Sequence, residues 1–330
     1  MTYVPAADRY DHVPIRRVGK TGLQLPIFAL GLWHNFGNHA NLADSRDTVL
    51  AAFDQGIFHF DLADNYGPEK GTAEETFGQI LDHDLRPYRD ELVVSTKAGF
   101  EMWPGPYGSM GSKKSLIANL DHSLKRLRLD YVDIFYSHQP DPNTAFEETA
   151  DTMAQIVRSG KALYIGISNY NTAQMKEMAG LLKERHVPYV LNQFSYNMLN
   201  QEAADTGLLT AAKELGGGVI AYGPVAEGLL SDRYLTGIPA DFPIHRTNKY
   251  LFDEGTDKVA AKLRQLNDLA QGRQQTLAQM SLAWLLKDQV VTSVILGTSK
   301  IEHLVDNIKA AQHLDFTQDE LDQIQKIIKG

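Results

Sequence analysis

Short apolar runs alternate with longer amphipathic stretches along most of the chain. The runs cover residues 27–30, 57–60, 92–95, 132–136, 162–165, 189–191, 219–221 and 293–296. Each is apolar almost throughout, as strands buried on both faces are. Between them, side chains such as Leu116, Leu120, Leu124 and Leu127 recur at helical spacing. Eight buried strands separated by helices predict an α/β fold, a (β/α)8 TIM barrel. Before the first run, Ile15–Arg17 and residues 23–25 flank Gly-Lys-Thr-Gly at 19–22, which predicts a short N-terminal hairpin. Asn171 with Gln174, Ser299 with Glu302 and Thr317 with Glu320 have the spacing of capping boxes. The last opens a C-terminal helix carrying Leu321, Ile324, Ile327 and Ile328, expected to pack outside the barrel. No repeat, low-complexity tract or linker divides the chain, so residues 1–330 are expected to form a single domain.

Four runs end in polar residues that could do chemistry. FHFDLADNYG (58–67) supplies Asp61 and Tyr66, ELVVSTKAG (91–99) Lys97, VDIFYSHQP (132–140) His138, and VLNQFSY (190–196) Gln193. Taken singly each has a bland explanation: Asp61 as a helix cap, Tyr66 as filling for a turn, His138 as a hydrogen-bonded rim residue. Lys97 differs, because a lysine at the inner end of a buried strand needs a partner, and Asp61 is the natural one. In a barrel the strand tips share one pocket at the C-terminal face. There a lysine beside a phenol favours the phenolate and a carboxylate holds the lysine, making the tyrosine a usable proton donor. Two long connections, residues 100–114 and 227–251, follow strand ends and should lie on the same face.

Composition narrows the classes. Of 330 residues, 43% are hydrophobic and 22% charged, an ordinary globular balance. A formal net charge of -9 argues against a nucleic-acid partner. No run approaches membrane-span length, and the N-terminus lacks the apolar core of a signal peptide. Cysteine is absent, which removes disulfides, thiolate zinc sites and cysteine nucleophiles, and the eleven histidines show no metal-ligand spacing. The expectation is a cytoplasmic enzyme without a metal, without membrane or nucleic-acid contact, acting on a small molecule, with room for a homo-oligomer. No Gly-x-Gly-x-x-Gly follows a strand and opens a helix, and Gly216–Gly218 read as a helix stop and turn, so a Rossmann domain is not expected. The alternative anion site of a barrel is the helix N-terminus after its last strand, where Gly297, Thr298, Ser299 and Lys300 stand; a capped helix with a solvated lysine explains those residues equally well.

The constellation resembles the aldo-keto reductases, NAD(P)H-dependent (β/α)8 barrels, over nearly the whole chain. The family tetrad maps onto Asp61, Tyr66, Lys97 and His138, and GISN (166–169), NQ (192–193) and AYGP (221–224) also match. The resemblance implies NADPH/NADP+ as cofactor. It places Ser168, Asn169 and Gln193 on the nicotinamide carboxamide and Tyr222 on the ring, with Trp33, Asp61, Gly223, Pro224, Val225 and Gly228 nearby. Arg233 is implied at the pyrophosphate, with Arg246, Gly297, Ser299, His303, Asp306 and Asn307 toward the adenosine end. GTSKIEHLVDN (297–307) departs from the family at His303 and Asp306, where glutamine and glutamate are common. Trp33, Tyr66, Trp103, Tyr107 and His138 are implied around the substrate. GLWHNFG (31–37), MWPGPYG (102–108) and SLAWLLKD (281–288) resemble the branch that holds bacterial L-glyceraldehyde 3-phosphate reductases and potassium-channel β subunits. That branch implies reduction of small aldehydes, L-glyceraldehyde 3-phosphate or methylglyoxal, with Tyr66 as proton donor. The alternatives are an NADPH-binding regulatory subunit, and a phosphate-binding isomerase or aldolase on the same fold.

Overall fold

Eight parallel strands close on themselves. In chain order the strands are β1 (Ile15–Arg17), β2 (Gln24–Pro26), β3 (Phe28–Gly31), β4 (His59–Asp61), β5 (Val93–Ala98), β6 (Val132–Ser137), β7 (Ala162–Ser168), β8 (Tyr189–Ser195), β9 (Gly218–Tyr222) and β10 (Val291–Leu296). β3 to β10 form the barrel, each pairing with the next, and β10 returns to β3 with Val294 opposite Phe28. This computed structural model describes every residue except Met1, Thr2, Asn35, His245, Arg246, Thr247, Glu254 and Ser299, and the side chains of Lys249 and Tyr250.

All eight predicted barrel strands are present, but several reach further at their C-terminal ends. β5 continues past Ser95 to Ala98, β7 to Ser168 and β8 to Ser195. The ladder joins backbone groups and is indifferent to side-chain polarity, whereas an apolar run stops where inward side chains turn polar. Those extra residues carry the polar interior, including Lys97 opposite Tyr136 and Ser168 opposite Gln193.

Helices Leu42–Asp54, Thr72–Ile80, Lys113–Leu127, Phe146–Arg158 and Thr172–Glu184 follow successive strands from β3 onward. Leu116, Leu120, Leu124 and Leu127 are all buried, as their spacing predicts. The capping boxes at Asn171 and Thr317 form in full. Large side chains such as Phe28, Phe53, Phe60, Phe77 and Phe135 are fully buried between these layers, each stabilising by roughly 1.5–3 kcal/mol.

The predicted hairpin pairs β1 with β2 and closes the N-terminal end of the barrel, leaving the opposite mouth open. Arg16 ties it down by donating to the carbonyls of Leu286 at 2.7 Å and Val291 at 2.9 Å. Gly19, at φ +50°, approaches Gly216 so closely that an added Cβ would stand 2.1 Å from the Gly216 carbonyl oxygen, so no larger residue fits. At the other terminus, Gln318–Lys329 packs against Thr256–Gly272, where Lys262 Nζ donates to the Ile328 carbonyl at 2.9 Å. No helix among the described residues is long and apolar enough to cross a membrane.

Candidate active site

Alternation along the strands builds the site. His59 and Asp61 on β4, and Ser95 and Lys97 on β5, are each two residues apart, so their side chains share the inner face. Lys97 Nζ donates to Asp61 Oδ2 at 2.6 Å, to the Leu62 carbonyl at 2.7 Å and to the Tyr66 hydroxyl at 3.3 Å. Asp61 Oδ1 receives two further donors, Ser95 Oγ at 2.8 Å and Gln193 Nε2 at 3.0 Å from across the barrel. Both charges are thereby paired and hydrogen-bonded, which is what a fully buried lysine requires.

Tyr66 is presented by the turn after β4. Its carbonyl accepts the N–H groups of Gly71 and Ala73, and the next residue, Gly67, sits at φ +99° where an added Cβ would meet Thr72 Oγ1 at 2.3 Å. His138 follows β6 directly; its N–H donates to the Ala98 carbonyl and its own carbonyl accepts from Asn169 Nδ2 at 2.9 Å. The His138 ring stands edge-on to Tyr66 with centroids 5.9 Å apart and to Phe100 at 4.6 Å. Trp33 is half exposed beside Tyr66, at 5.9 Å between centroids.

Burial dominates the electrostatics here. It lowers Lys97 below its ordinary value, with Asp61 opposing, and together with the Lys97 charge it holds His138 well below the usual imidazole range, so His138 is neutral. Tyr66 moves the other way from the expectation that Lys97 favours its phenolate. Burial first, then the carboxylates of Asp61 and Asp64, push its phenol well above the ordinary range, so it is protonated at neutral pH. Asp64 is itself fully buried, with the Asn65 backbone beside it; burial and the nearby Glu74 push its carboxyl up. Glu74 in turn accepts from Thr96 Oγ1 at 2.5 Å and Arg126 Nε at 2.7 Å.

A second polar group lies on the adjoining strand tips. Asn169 adopts φ +62°, and its Nδ2 spans the His138 carbonyl and Ser168 Oγ, while Oδ1 accepts from the Tyr222 hydroxyl at 2.9 Å. Because a carbonyl can only accept, Nδ2 must face His138, which leaves one lone pair of Oδ1 free. Gln193 is buried, and its amide faces both Asp61 and the Tyr136 hydroxyl. An amide ligand could therefore find an acceptor here on Asn169. Asn197 Nδ2 fixes the neighbouring turn by donating to the Gly223 carbonyl at 2.9 Å. Gly223 and Gly228 take φ +65° and +91°, with Pro224 buried and Val225 half-buried between them.

Other expected residues fall elsewhere. Trp103 packs edge-on to His122 on the flank of Lys113–Leu127, at 5.5 Å; Phe100, three residues earlier in the loop and unmarked in the sequence, meets His138. Tyr107 stands under Lys114, whose Nζ is 4.5 Å from the ring centre. Asp306 Oδ1 accepts from Gln279 Nε2 at 3.1 Å and Lys309 Nζ at 3.2 Å. Arg233 is exposed over Tyr234, and Gly297 and His303 are exposed, with Asn307 half-buried. Arg246 and Ser299 lie outside the described residues, as does the capping box expected at Ser299. The helix after β10 opens at Ile301, with Lys300 in the preceding position and no side-chain cap; Thr298 Oγ1 instead accepts the Lys300 N–H at 3.1 Å. Ser95 and His59 escaped notice in the sequence, although their spacing from Lys97 and Asp61 places them on the same inner face.

A parallel eight-stranded barrel whose mouth gathers Asp61, Tyr66, Lys97 and His138 is matched by the model of the aldo/keto reductase family over residues 28–329, and the chain belongs to that family of oxidoreductases. It is 50% identical to the L-glyceraldehyde 3-phosphate reductase of Escherichia coli (strain K12), over 99% of this chain and 96% of that protein. It is also 32% identical to a protein of Arabidopsis thaliana described as a probable voltage-gated potassium channel subunit beta, over 96% of each chain. The narrower resemblance seen in the sequence thus reaches both members of that branch.

Proposed function

We propose that the protein is an NADPH-dependent reductase of small aldehydes, with L-glyceraldehyde 3-phosphate the foremost substrate and methylglyoxal the second, working as one barrel domain. The observation that carries this reading is the hydrogen-bonded line from Asp61 through Lys97 to the Tyr66 hydroxyl at the open end of the barrel. The higher identity to a reductase than to a channel subunit supports an enzyme over a regulatory module.

The cofactor fits the residues present. The spare acceptor on Asn169 and the Tyr222 ring beside it suit a planar ring bearing a carboxamide. Exposed Arg233 and Lys300 supply positive charge for phosphate groups in a chain of net charge -9. When bound, NADPH supplies the hydride. Tyr66 then donates its proton to the carbonyl oxygen as negative charge develops there. Its high resting pKa keeps that proton available, and the Lys97 ammonium at 3.3 Å stabilises the phenolate left behind. Asp61 holds Lys97 in place. Neutral His138 aligns the carbonyl oxygen through an imidazole N–H, while Trp33 and Phe100 line the approach. Proton donation of this kind contributes about 10²–10⁴-fold in rate, and orientation of the substrate in the mouth adds to it.

The deciding experiment follows NADPH oxidation with L-glyceraldehyde 3-phosphate, methylglyoxal and unbranched aldehydes, repeated with NADH. Turnover of the phosphorylated triose with the highest kcat/KM is the expected outcome. No turnover of any aldehyde with either cofactor would remove the enzymatic reading.

A further inference from the structure

Behind the tetrad a second chain of hydrogen bonds runs into the barrel interior. His59 Nε2 lies 3.0 Å from Ser95 Oγ, and Ser95 Oγ lies 2.8 Å from Asp61 Oδ1. All three side chains are buried. The direction of this chain follows from counting protons. A serine hydroxyl has one hydrogen, and a carboxylate can only accept, so the Ser95 hydrogen goes to Asp61. Ser95 must then accept at its other side, which requires His59 to carry its hydrogen on Nε2. His59 Nδ1 is consequently a bare lone pair, and it is indeed buried without a partner. Burial holds the imidazole down to about 4, so this neutral form persists at neutral pH.

We propose that Ser95 and His59 are positioning residues for reduction: the His59–Ser95 pair anchors one oxygen of Asp61 and so leaves the other aimed at Lys97. The inference rests on the assignment of Asp61, Lys97 and Tyr66 to the chemistry. Asp61 alone on a strand end could rotate about its last torsion and exchange its oxygens between Lys97 and the interior. Ser95 and Gln193 both grip Oδ1, from opposite sides of the barrel, and Lys97 takes Oδ2. A donor that cannot change its direction, because His59 fixes it from behind, holds that arrangement during turnover, when the charge on the neighbouring phenol changes. The charged or titratable groups around Asp61 are Lys97 on β5, His59 on β4, Tyr66 and Asp64 on the turn after β4, and Tyr136 on β6.

The test uses the full-length protein in two arms. In the first, imidazole nitrogen NMR reads the His59 tautomer without turnover. A protonated Nε2 and a bare Nδ1 are expected in the wild type, with loss of that single tautomer in Ser95→Ala. The opposite tautomer in the wild type overturns the proposal. In the second, Ser95→Ala should lower kcat about tenfold, the worth of one hydrogen bond to a charged group, with KM little changed. Ser95→Thr should restore kcat, as should His59→Gln relative to His59→Leu, because glutamine keeps an N–H donor. A merely structural role would lower melting temperature without this split between kcat and KM. Wild-type kcat in Ser95→Ala, with Tyr66→Phe inactive, overturns the positioning role and leaves the tetrad standing. Full activity in Tyr66→Phe overturns the tetrad instead, and the tautomer arm still decides whether the hydrogen-bond chain exists.

Discussion

Lys97 and Asp61 are joined at 2.6 Å with both side chains sealed from solvent, and this pair is the hinge of the site's electrostatics. A buried ion pair is often no more stabilising than an apolar replacement, so its retention points to a use. Here the ammonium has a third contact, the Tyr66 hydroxyl at 3.3 Å, on the side facing the mouth. The carboxylate thus spends its charge on orienting a cation toward a phenol.

If Tyr66 is the proton donor as proposed, removing its hydroxyl removes that donor and little else. Tyr66→Phe is expected to lower carbonyl reduction by about 10²-fold or more while NADPH affinity stays near that of the wild type. Steady-state turnover and cofactor fluorescence titration check the two halves. Near wild-type turnover would mean that another group supplies the proton.

Lys97→Met should also lose most of its turnover, because the phenolate formed on proton donation loses its stabilising cation and Asp61 is left buried and unpaired. Breaking a buried pair from one side costs about 3–5 kcal/mol, so a lower melting temperature is expected as well. A variant that melts like the wild type would show that Asp61 is not charged in the folded protein.

Stability should fall with acid partly through His59. Its ordinary value is 6.5 and burial holds it at about 4, so below pH 6.5 the unfolded chain binds a proton that the folded chain refuses. The contribution is complete above pH 6.5 and is lost as pH falls toward about 4, amounting to roughly 3 kcal/mol. His138, also held low by burial, acts in the same direction. His59→Gln should therefore lose less melting temperature than the wild type between pH 7 and pH 4. Parallel curves would show that His59 titrates normally in the folded state.

A preference for NADPH over NADH calls for cations near a 2′-phosphate. Lys300 is exposed at the mouth of the helix Ile301–Ile308, where the helix dipole adds to its charge. Lys300→Ala should weaken NADPH by about tenfold and NADH hardly at all, because only the former carries the extra phosphate. Equal losses for both cofactors, by fluorescence quenching, would place the phosphate elsewhere.

The barrel and the gathering of Asp61, Tyr66, Lys97 and His138 at its mouth were legible because both depend on strong local signals. Buried parallel strands leave unbroken apolar runs, and the polar residues ending them stand out against that background. Strand ends were less so: Lys97 lies inside β5, since a ladder continues through polar residues whose charges are paired. Ser95 and His59 were missed because a serine and a histidine inside apolar runs carry no mark of which atoms they will face. The contacts of Trp103 with His122 and of Phe100 with His138 were not legible because a glycine- and proline-rich loop has no period from which to read direction. The adenosine end was least legible, resting on a tail in which one oxygen of Asp306 accepts from Gln279 and Lys309.

Substrate choice should turn on charge beside the long loop after β5. Both Lys113 and Lys114 are exposed on the first turn of Lys113–Leu127, where the helix N-terminus also favours an anion. They are not equivalent. Lys113 has the Asp151 carboxylate of the adjacent helix nearby, whereas Lys114 lies over the exposed Tyr107 ring. A phosphate tail would thus meet Lys114 first, with Tyr107 holding the ammonium in place. Lys114→Ala should lower kcat/KM for L-glyceraldehyde 3-phosphate about tenfold, the loss of one charge-assisted hydrogen bond, and leave methylglyoxal nearly unchanged. Raising ionic strength should reproduce part of that selective loss in the wild type, because exposed charges are screened. An unchanged kcat/KM for the phosphorylated triose would mean that its phosphate is held by other residues, and equal losses for both aldehydes would mean that Lys114 supports the loop and not the substrate.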